Sequence, residues 1–307
     1  MILVTGAKGF LGSALVEELK SAGHEAHGID REDGDLRDLR TTEHLIHDLA
    51  PKKVVHMAAQ VGRQFCEDDV SHAIDANVKM TYNVASMCRK YNAELIYTST
   101  SEVYGEHGED TCDELAPLTA TPTGMYALTK RWSEDVAKQY GPRGLKIFRP
   151  SMPYGPGAPP GRGRRALDNF LWQAHHRKPI KVHIGSKRSW TYITDATNAM
   201  RMVIEGTEVG PFNIGRDDAE VSMLALADMC CDLAGAPYSL IEQVIAPHGQ
   251  TVVKRLSTER LRSIGWEPAV ELEEGIQRVY DWIRQFDAEG NYVGTELRRP
   301  DFNEVRA

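Results

Sequence analysis

The chain has 307 residues, of which 26% are charged and 41% are hydrophobic, and its formal net charge is −8. This length predicts two domains, or one large domain with a substantial appendage. The negative charge argues against binding nucleic acid or an anionic membrane through a general positive field, and it favours small-molecule partners. No apolar run approaches the length of a membrane span, so we expect a cytoplasmic protein without a membrane partner. Five cysteines without metal-like spacing predict reduced thiols and no metal site.

A glycine-rich turn follows the first apolar segment. Residues 1–4 predict a buried strand that runs into Gly6, Gly9 and Gly12. A helix then follows, because apolar residues recur at helical spacing, namely Leu11, Leu15, Leu19 and Ala22. Such a turn lets the backbone approach a dinucleotide pyrophosphate, which the free N–H groups of the helix start can bind. Asp30 ends the next strand-like segment and completes this fingerprint, since an acid there binds the adenine ribose.

Further strand-like runs alternate with helix-compatible stretches, at residues 53–57, 94–98 and 145–148. This alternation predicts an α/β protein with a doubly wound parallel Rossmann sheet. One helix is predicted over 72–91, from the spacing of Ile74, Val78, Tyr82, Ala85 and Cys88. Other helices are predicted over 125–140, 167–176 and 222–233, and a strand end at 212–215.

Proline and glycine crowd residues 153–165, which predicts a loop that leaves the nucleotide domain. We therefore expect an NAD(P)-binding Rossmann domain over residues 1–152, completed by about 181–212. A smaller C-terminal α/β substrate domain is expected over 153–180 and 213–294. Residues 295–307 are predicted to form a poorly ordered tail.

Tyr126 and Lys130 form a Tyr-x-x-x-Lys pair, so both side chains project from one face of the predicted helix. A tyrosine with a pKa of about 10 is a poor base near neutrality, but an adjacent ammonium favours the phenolate. Thr100 follows the strand predicted over 94–98, and ligands of parallel sheets gather at the carboxyl ends of strands. We therefore predict that Tyr126 accepts a substrate proton while Thr100 hydrogen-bonds the same oxygen.

These motifs together resemble the extended short-chain dehydrogenase/reductase family, in particular its nucleotide-sugar epimerases, dehydratases and decarboxylases. The resemblance covers nearly the whole chain and is carried by motifs in a fixed order. They are TGAKGFLG at 5–12, Asp30, Asp35 with Leu36, HMAA at 56–59, Asn77, TSTSEVYG at 98–105, YALTK at 126–130, YGPG at 154–157, Asn169 with Phe170, Arg188-x-Trp190 followed by Asp195, FNIG at 212–215 and IGWEP at 264–268.

The resemblance implies an enzyme that binds NAD and a nucleoside-diphosphate sugar, the latter in the C-terminal domain. Tyr126 would take the C4 hydroxyl proton while hydride leaves C4, giving a 4-keto intermediate, and Lys130 would also hold the nicotinamide ribose. The catalytic residues it implies are Thr100, Tyr126, Lys130 and Glu102. The cofactor-binding residues are Gly6, Gly9, Phe10, Leu11, Gly12, Asp30, Arg31, Asp35, Leu36, Ala58, Ala59, Asn77, Thr98, Tyr126, Lys130 and Pro150. The substrate-binding residues are Thr100, Ser101, Glu102, Asn169 and Arg188.

The fate of the 4-keto intermediate separates the possible activities. We expect a UDP-sugar 4-epimerase first, with a 4,6-dehydratase or a UDP-glucuronate decarboxylase that uses Glu102 as the alternative. A glutamate at this place acts near C5 in such relatives, although here it could also only order its loop. Ser101 stands where dehydratases with an Asp-Glu pair have aspartate. A reductase of a 4-keto sugar and a non-catalytic NAD(P) sensor are further alternatives, and the complete set of Thr100, Tyr126 and Lys130 argues against the sensor.

Cofactor choice and substrate contacts carry further alternatives. Asp30 favours NAD because it repels a 2′-phosphate, whereas Lys8 and Arg31 would suit NADP. Met152 replaces an asparagine that contacts the substrate in most relatives, and Ser151 is a possible substitute. Arg188 resembles the arginine that meets the diphosphate. Other arginines with either a substrate role or a solvated surface role are Arg63, Arg162, Arg164 and Arg165. The family also implies a homodimer through the helices at 72–91 and 125–140.

Overall fold

The structure is a computed structural model that describes residues 1–107, 110–119, 124–158, 160–161, 165–218, 220–246 and 253–294. The strands in this part of the chain are β1 Ile2–Thr5, β2 Ala26–Ile29, β3 Lys53–His56, β4 Glu94–Thr98, β5 Thr111–Cys112, β6 Lys146–Pro150, β7 Pro153–Tyr154, β8 Ile180–His183, β9 Lys187–Ser189, β10 Thr191–Tyr192, β11 Gly210–Ile214, β12 Glu220–Ser222, β13 Ile241–Val244 and β14 Val253–Leu256. The tail at 295–307, Arg162 and Arg164 lie outside the described residues.

The described α-helices are α1 Phe10–Ser21, α2 Leu39–Leu49, α3 Arg63–Asp68, α4 Val70–Ile74, α5 Met80–Lys90, α6 Met125–Tyr140, α7 Ala166–His175, α8 Ile193–Glu205, α9 Met223–Ala234, α10 Glu259–Ser263 and α11 Leu272–Ile283. A π-helical turn, Asp75–Lys79, joins α4 to α5. The helix predicted over 72–91 is therefore confirmed, but with a wider turn inside it. Short 3₁₀ turns cover Ser101–Tyr104 and Tyr238–Leu240. Among the described residues, no helix combines the length and apolar character that a bilayer span needs.

Six strands form one parallel sheet in the order β11–β6–β4–β3–β1–β2. Every neighbouring pair runs parallel, and Ile2 of β1 lies between Ala26 of β2 and Lys53 of β3. All four residues of β1 are buried, as expected for a strand covered on both faces. The predicted α/β fold with a doubly wound parallel sheet is confirmed. The predicted strand at 94–98 has the observed bounds, and the other predicted strands differ by one or two residues.

Alternate strand residues enter two different cores, because successive side chains of a strand point to opposite faces of the sheet. The core on the side of α1 and α8 includes Val4, Val55, Ile96 and Phe148. The core on the side of α2, α5 and α6 includes Leu3, Val54, Leu95 and Ile147. Helix α6, which carries Tyr126 and Lys130, is therefore packed on the same face of the sheet as α5.

A third core lies between α7, α9 and α11, where the buried residues include Leu171, Leu226, Ile276 and Trp282. Beside it, β12, β9, β14 and β5 form a small sheet in that order. Strands β9 and β14 are parallel neighbours, and their register pairs Arg188 with Lys254. The loop predicted over 153–165 begins instead with the short strand β7, which pairs with β10.

Candidate active site

The predicted site residues meet at one edge of the central sheet. Gly6 follows β1, Asp30 follows β2, Ala58 follows β3, Thr100 follows β4, and Pro150 ends β6. Parallel strands end at the same edge, so residues far apart in the sequence come together there. This edge is where doubly wound proteins bind ligands.

The glycine turn between β1 and α1 is too tight for side chains. Gly6 has a φ of +71°, and a Cβ added to it would lie 2.8 Å from the backbone nitrogen of Ala58. A Cβ on Gly12 would lie 2.2 Å from the carbonyl oxygen of Gly6. The N–H of Gly9 donates to the same Gly6 oxygen at 3.0 Å. At these glycines no side chain covers the N-terminus of α1. This arrangement suits binding of the pyrophosphate of a dinucleotide by the free N–H groups of the helix start.

Asp30 is held in place at the end of β2. Its two carboxylate oxygens accept the backbone N–H groups of Lys8 and Arg31, each at 2.9 Å. The Lys8 ammonium pairs with Glu32, and this hydrogen bond raises the pKa of Lys8. Glu32 neutralises the Lys8 charge that would attract the 2′-phosphate of NADP. The arrangement around Asp30 therefore fits NAD. Farther along, Arg37 holds the pKa of Asp35 at about 2 through a hydrogen bond.

Tyr126 and Lys130 lie where the sequence predicts, but with opposite pKa changes. Burial raises the pKa of Tyr126 above its ordinary value, and a hydrogen bond with Thr100 opposes this rise. Burial lowers the pKa of Lys130 to about 7. The ammonium of Lys130 donates to the carbonyl oxygen of Thr98 at 2.5 Å and lies 4.6 Å from the ring centroid of Tyr97. Burial, rather than the neighbouring ammonium, therefore dominates the pKa of Tyr126, which differs from our expectation.

Glu102 forms an ion pair with Lys254, a residue that sequence reasoning missed. The Lys254 side chain is 4% exposed, whereas that of Glu102 is 31% exposed, so the cation lies deeper than the carboxylate. Burial lowers the pKa of Lys254, while Glu102 opposes the change. Arg188 is buried beside Lys254 on the neighbouring strand. Glu102 also contributes to the raised pKa of Tyr126, so the cluster lies close to the predicted proton acceptor.

A buried network fixes the turn that carries Thr100 and Glu102. Arg149 of β6 donates to both carboxylate oxygens of Glu134 on α6, at 2.9 and 2.7 Å. Its third nitrogen donates to the hydroxyl of Tyr104 at 2.8 Å. That hydroxyl donates in turn to Asn213 of β11 at 2.7 Å. Helix α6, two strands of the sheet and the 3₁₀ turn are therefore joined through one guanidinium group.

The side chain of Asn77 binds inside the protein. Its oxygen accepts the N–H of Gln60 at 2.8 Å, and its nitrogen donates to the carbonyl of Gln60 at 3.1 Å and to the hydroxyl of Thr129 at 2.9 Å. Asn77 thus holds the segment after β3 against α6. A role in contacting the cofactor stays a prediction.

Arg165, the residue just before α7, and Asn169, within α7, are two residues singled out in the sequence whose side chains make contacts here. The guanidinium of Arg165 lies 3.9 Å from the ring centroid of Phe10 and pairs with Asp168 at 2.6 Å. Asn169 accepts the N–H of Gly161 at 2.9 Å.

Met152 has a φ of +44°, a left-handed conformation that asparagine tolerates better than methionine. The backbone at this position is therefore suited to the asparagine that the family resemblance implies here.

Known proteins share the sequence pattern and the fold of this chain. The sequence profile of the NAD dependent epimerase/dehydratase family matches residues 2–215. UDP-glucuronic acid decarboxylase 1 of Arabidopsis thaliana is 30% identical over 309 residues, covering 92% of this chain and 69% of the relative. GDP-L-fucose synthase of Sinorhizobium fredii is 28% identical over 299 residues, covering 91% and 94%. The solved UDP-glucose 4-epimerase of Thermus thermophilus, in complex with NAD, superposes with a TM-score of 0.81 at 26% identity, covering 92% and 98%.

The chain belongs to the NAD dependent epimerase/dehydratase family. The predictions of an enzyme of the extended short-chain dehydrogenase/reductase group, acting on nucleotide sugars with NAD as cofactor, are confirmed. The roles of the individual site residues stay predictions.

Proposed function

We propose that the protein decarboxylates a UDP-linked hexuronate, after transient oxidation at C4. The observation that carries this proposal is the buried pair of cations, Arg188 and Lys254, beside Glu102 and Tyr126. Bound NAD supplies the oxidation and the final reduction at C4. All other steps are assigned to side chains of this chain.

Tyr126 is the proton acceptor at the C4 hydroxyl, and Thr100 hydrogen-bonds the same oxygen. The hydrogen bond between Thr100 and Tyr126 supports this pairing. Burial favours the protonated phenol, and Tyr126 accepts a proton only as the phenolate, so its own proton must first pass to another base. Lys130, one helical turn away with a pKa of about 7, is partly neutral near pH 7 and takes that proton, and its ammonium then stabilises the phenolate.

Arg188 and Lys254 form a site for an anionic group. Like charges on neighbouring strands repel one another, and buried cations need anions close by. Glu102 is the carboxylate that the protein itself brings to these cations. A hexuronate would present its own carboxylate, attached to C5, at the same place.

The ketone at C4 makes that carboxylate a leaving group. The bond between C5 and the carboxylate carbon breaks, carbon dioxide leaves, and the electron pair moves into an enolate at C4 and C5. C5 then takes a proton from an acid of the site, and C4 is reduced again to an alcohol. The similarity to a UDP-glucuronic acid decarboxylase supports this sequence of steps.

A UDP-sugar 4-epimerase is the second candidate, and one observation favours it. Glu102 is tied to Lys254 rather than left as an independent base, and epimerisation, like decarboxylation, needs no base at C5, whereas 4,6-dehydration does. The similarity to a 4-epimerase with NAD bound is consistent with this activity. Ser101, which stands in place of the aspartate of a paired-acid site, argues against the paired-acid form of a 4,6-dehydratase but not against one that uses Glu102 alone.

Product masses from a panel of nucleotide sugars test these proposals. Loss of carbon dioxide from UDP-glucuronate is the expected result. A product of unchanged mass with inverted C4 would replace decarboxylation by epimerisation, and loss of water would replace it by dehydration. If no nucleotide sugar were converted while NADH still bound, the proposed activity would be wrong.

We also propose that the protein is a homodimer. Large apolar side chains on α4, α5 and α6 are exposed, namely Ile74, Tyr82, Trp132 and Tyr140. The rings of Tyr82 and Tyr140 meet edge to face, with centroids 5.0 Å apart, so they form one patch across both helices. We call Tyr82, Trp132 and Tyr140 the aromatic patch. A second copy of the same helices would cover it across a two-fold axis.

A further inference from the structure

The helix that carries Tyr126 begins without a capping side chain of its own. Helix α6 starts at Met125, and the residue before it is Gly124, with a φ of +139°. The first N–H groups of any helix lack partners within the helix and need acceptors from elsewhere. The N–H of Met125 finds one on a different helix, because it donates to a carboxylate oxygen of Glu67 on α3 at 2.9 Å.

Gly124 makes room for this carboxylate. A Cβ added at position 124 would lie 2.7 Å from the same Glu67 oxygen and 3.2 Å from the Nε atom of Arg63. Any side chain there would push the carboxylate away from the helix start. A negative charge is also favoured at that place, since the helix dipole is positive at its N-terminus. The glycine and the glutamate therefore form one capping arrangement, split between two segments.

A second bond holds the same turn of α6 from its other end. Thr129 accepts a hydrogen bond from Asn77, whose amide also binds both backbone groups of Gln60. Gln60 and Glu67 belong to one segment, and the thiol of Cys66 donates to the carbonyl of Gln60 at 3.4 Å. Tyr126 thus lies between two anchors that lead back to residues 60–67.

We propose that Glu67 is a positioning residue for Tyr126, which sets the place of the phenol by capping the first turn of α6. This inference rests on the proposed function, in which Tyr126 is the proton acceptor. Small displacements of a reacting group are costly, because proton transfer requires a narrow range of distances and directions. Loss of the cap should therefore affect turnover more than binding of either ligand.

Two variants separate positioning from charge. Glu67→Ala removes the acceptor, and we expect turnover to fall about threefold to tenfold while the KM for the nucleotide sugar stays within about twofold. Glu67→Gln keeps an oxygen that can accept the Met125 N–H, so it should restore turnover to within about twofold. Amide hydrogen exchange in residues 125–128 should become faster in Glu67→Ala and return toward the original rate in Glu67→Gln.

Asp69→Ala is the matched control. Asp69 caps α4 with a bond of the same kind, accepting the N–H of His72 at 2.9 Å. Its loss should leave turnover and exchange in residues 125–128 unchanged. Glu67 is exposed, so neither of its variants disturbs a core.

Three outcomes would overturn the inference. They are full turnover in Glu67→Ala despite faster exchange, reduced turnover without faster exchange, and an equal loss of turnover in Asp69→Ala. Failure of the proposed function would be distinct, because product masses would then show no loss of carbon dioxide, whereas full turnover in Tyr126→Phe would remove the premise that Tyr126 is the proton acceptor.

Discussion

Tyr126 and Lys130 are one helical turn apart, yet burial moves their pKa values in opposite directions. The phenol becomes a weaker acid, and the ammonium becomes a stronger one, with a pKa of about 7. Near neutral pH a proton on Lys130 is therefore easily lost or gained, whereas the proton on Tyr126 is firmly held. Tyr126 accepts a substrate proton only as the phenolate, so this difference fits a site in which Lys130 takes up the phenol proton before the substrate hydroxyl gives up its own.

Replacing Tyr126 with phenylalanine tests its role directly. The ring remains, but the proton acceptor is lost, so turnover should fall by about 10²- to 10⁴-fold. Binding of NADH, followed by fluorescence titration, should change little. Near-normal turnover in this variant would move the acid–base chemistry to another residue.

The buried charge of Lys130 should make the protein less stable at neutral pH than at alkaline pH. Between its folded pKa of about 7 and its ordinary value of 10.5, the unfolded chain keeps a proton that the folded chain has lost. The free energy of unfolding should therefore rise with pH across this window. Lys130→Met removes this cost, and we expect it to stabilise the fold at pH 7 by roughly 1–3 kcal/mol, after allowing for the lost bond to Thr98.

Urea unfolding at several pH values measures this effect. The increase in the free energy of unfolding caused by Lys130→Met should shrink as the pH approaches about 10. Turnover of this variant should be lost at every pH. A gain that stays constant with pH would mean that Lys130 is not titrating in this range.

Lys254 should favour the binding of charged over neutral nucleotide sugars. Lys254→Met removes a buried cation at the proposed carboxylate site, and a charged hydrogen bond contributes about 1.5–3 kcal/mol. The KM for UDP-glucuronate should therefore rise at least about tenfold, while binding of UDP-glucose changes much less. Lys187→Met, on the same strand as Arg188 but with a more exposed side chain, is the control and should have little effect. An equal effect on both sugars would assign Lys254 to the diphosphate instead.

At the scale of elements, the glycine turn between β1 and α1 has the least tolerance for change. In Gly12→Ala the new Cβ would lie 2.2 Å from the backbone oxygen of Gly6, so the turn or the helix must move. We expect NADH binding to weaken at least about tenfold, since the open helix start would no longer match the pyrophosphate. In the control Gly215→Ala, the new Cβ meets Ser151 at 3.5 Å, an ordinary contact, and binding should persist. Unchanged affinity in Gly12→Ala would contradict the assigned cofactor site.

Local patterns gave the bounds of some elements and missed others, including the long helices α8 and α11. The apolar run at 94–98 and the helical spacing at 125–140 gave the observed bounds, because each element is specified by its own residues. Strands β9 and β14 have three and four residues, too few for a clear periodicity. Their pairing, which brings Lys254 to Arg188 and Glu102, joins segments more than sixty residues apart in the sequence. Lys254 was missed for this reason, although a lysine within the apolar-tending segment 252–256 was a usable signal.

The pKa values of the site residues could not be predicted from the sequence motif. The Tyr-x-x-x-Lys spacing correctly indicated a shared helix face, but the pKa of each group depends on burial by the rest of the fold. The hydrogen bond of Lys130 to Thr98, a residue of another strand, could not be inferred from spacing alone. The same holds for the Glu67 cap of α6, whose two partners are 58 positions apart.

For the whole molecule, the aromatic patch predicts the oligomeric state. Trp132 is 41% exposed, and Trp132→Glu would place a charge in the proposed two-fold interface. We expect the original protein to have the mass of a dimer in light scattering at micromolar concentration, and the variant to have the mass of a monomer. Val209→Glu changes an exposed apolar residue elsewhere and should leave the dimer intact. A monomeric original protein would remove this proposal.

The π-helical turn at Asp75–Lys79 has a consequence for this surface. Tyr82 lies eight positions after Ile74, which in a regular α-helix would leave the two side chains about 80° apart around the axis. A π turn takes up one additional residue, so the two side chains come into angular phase after two complete turns. Both are indeed similarly exposed, at 37% and 40%. One inserted residue thus lets one continuous helix direct Asn77 inward at the π turn and keep Ile74 and Tyr82 aligned on its outer face.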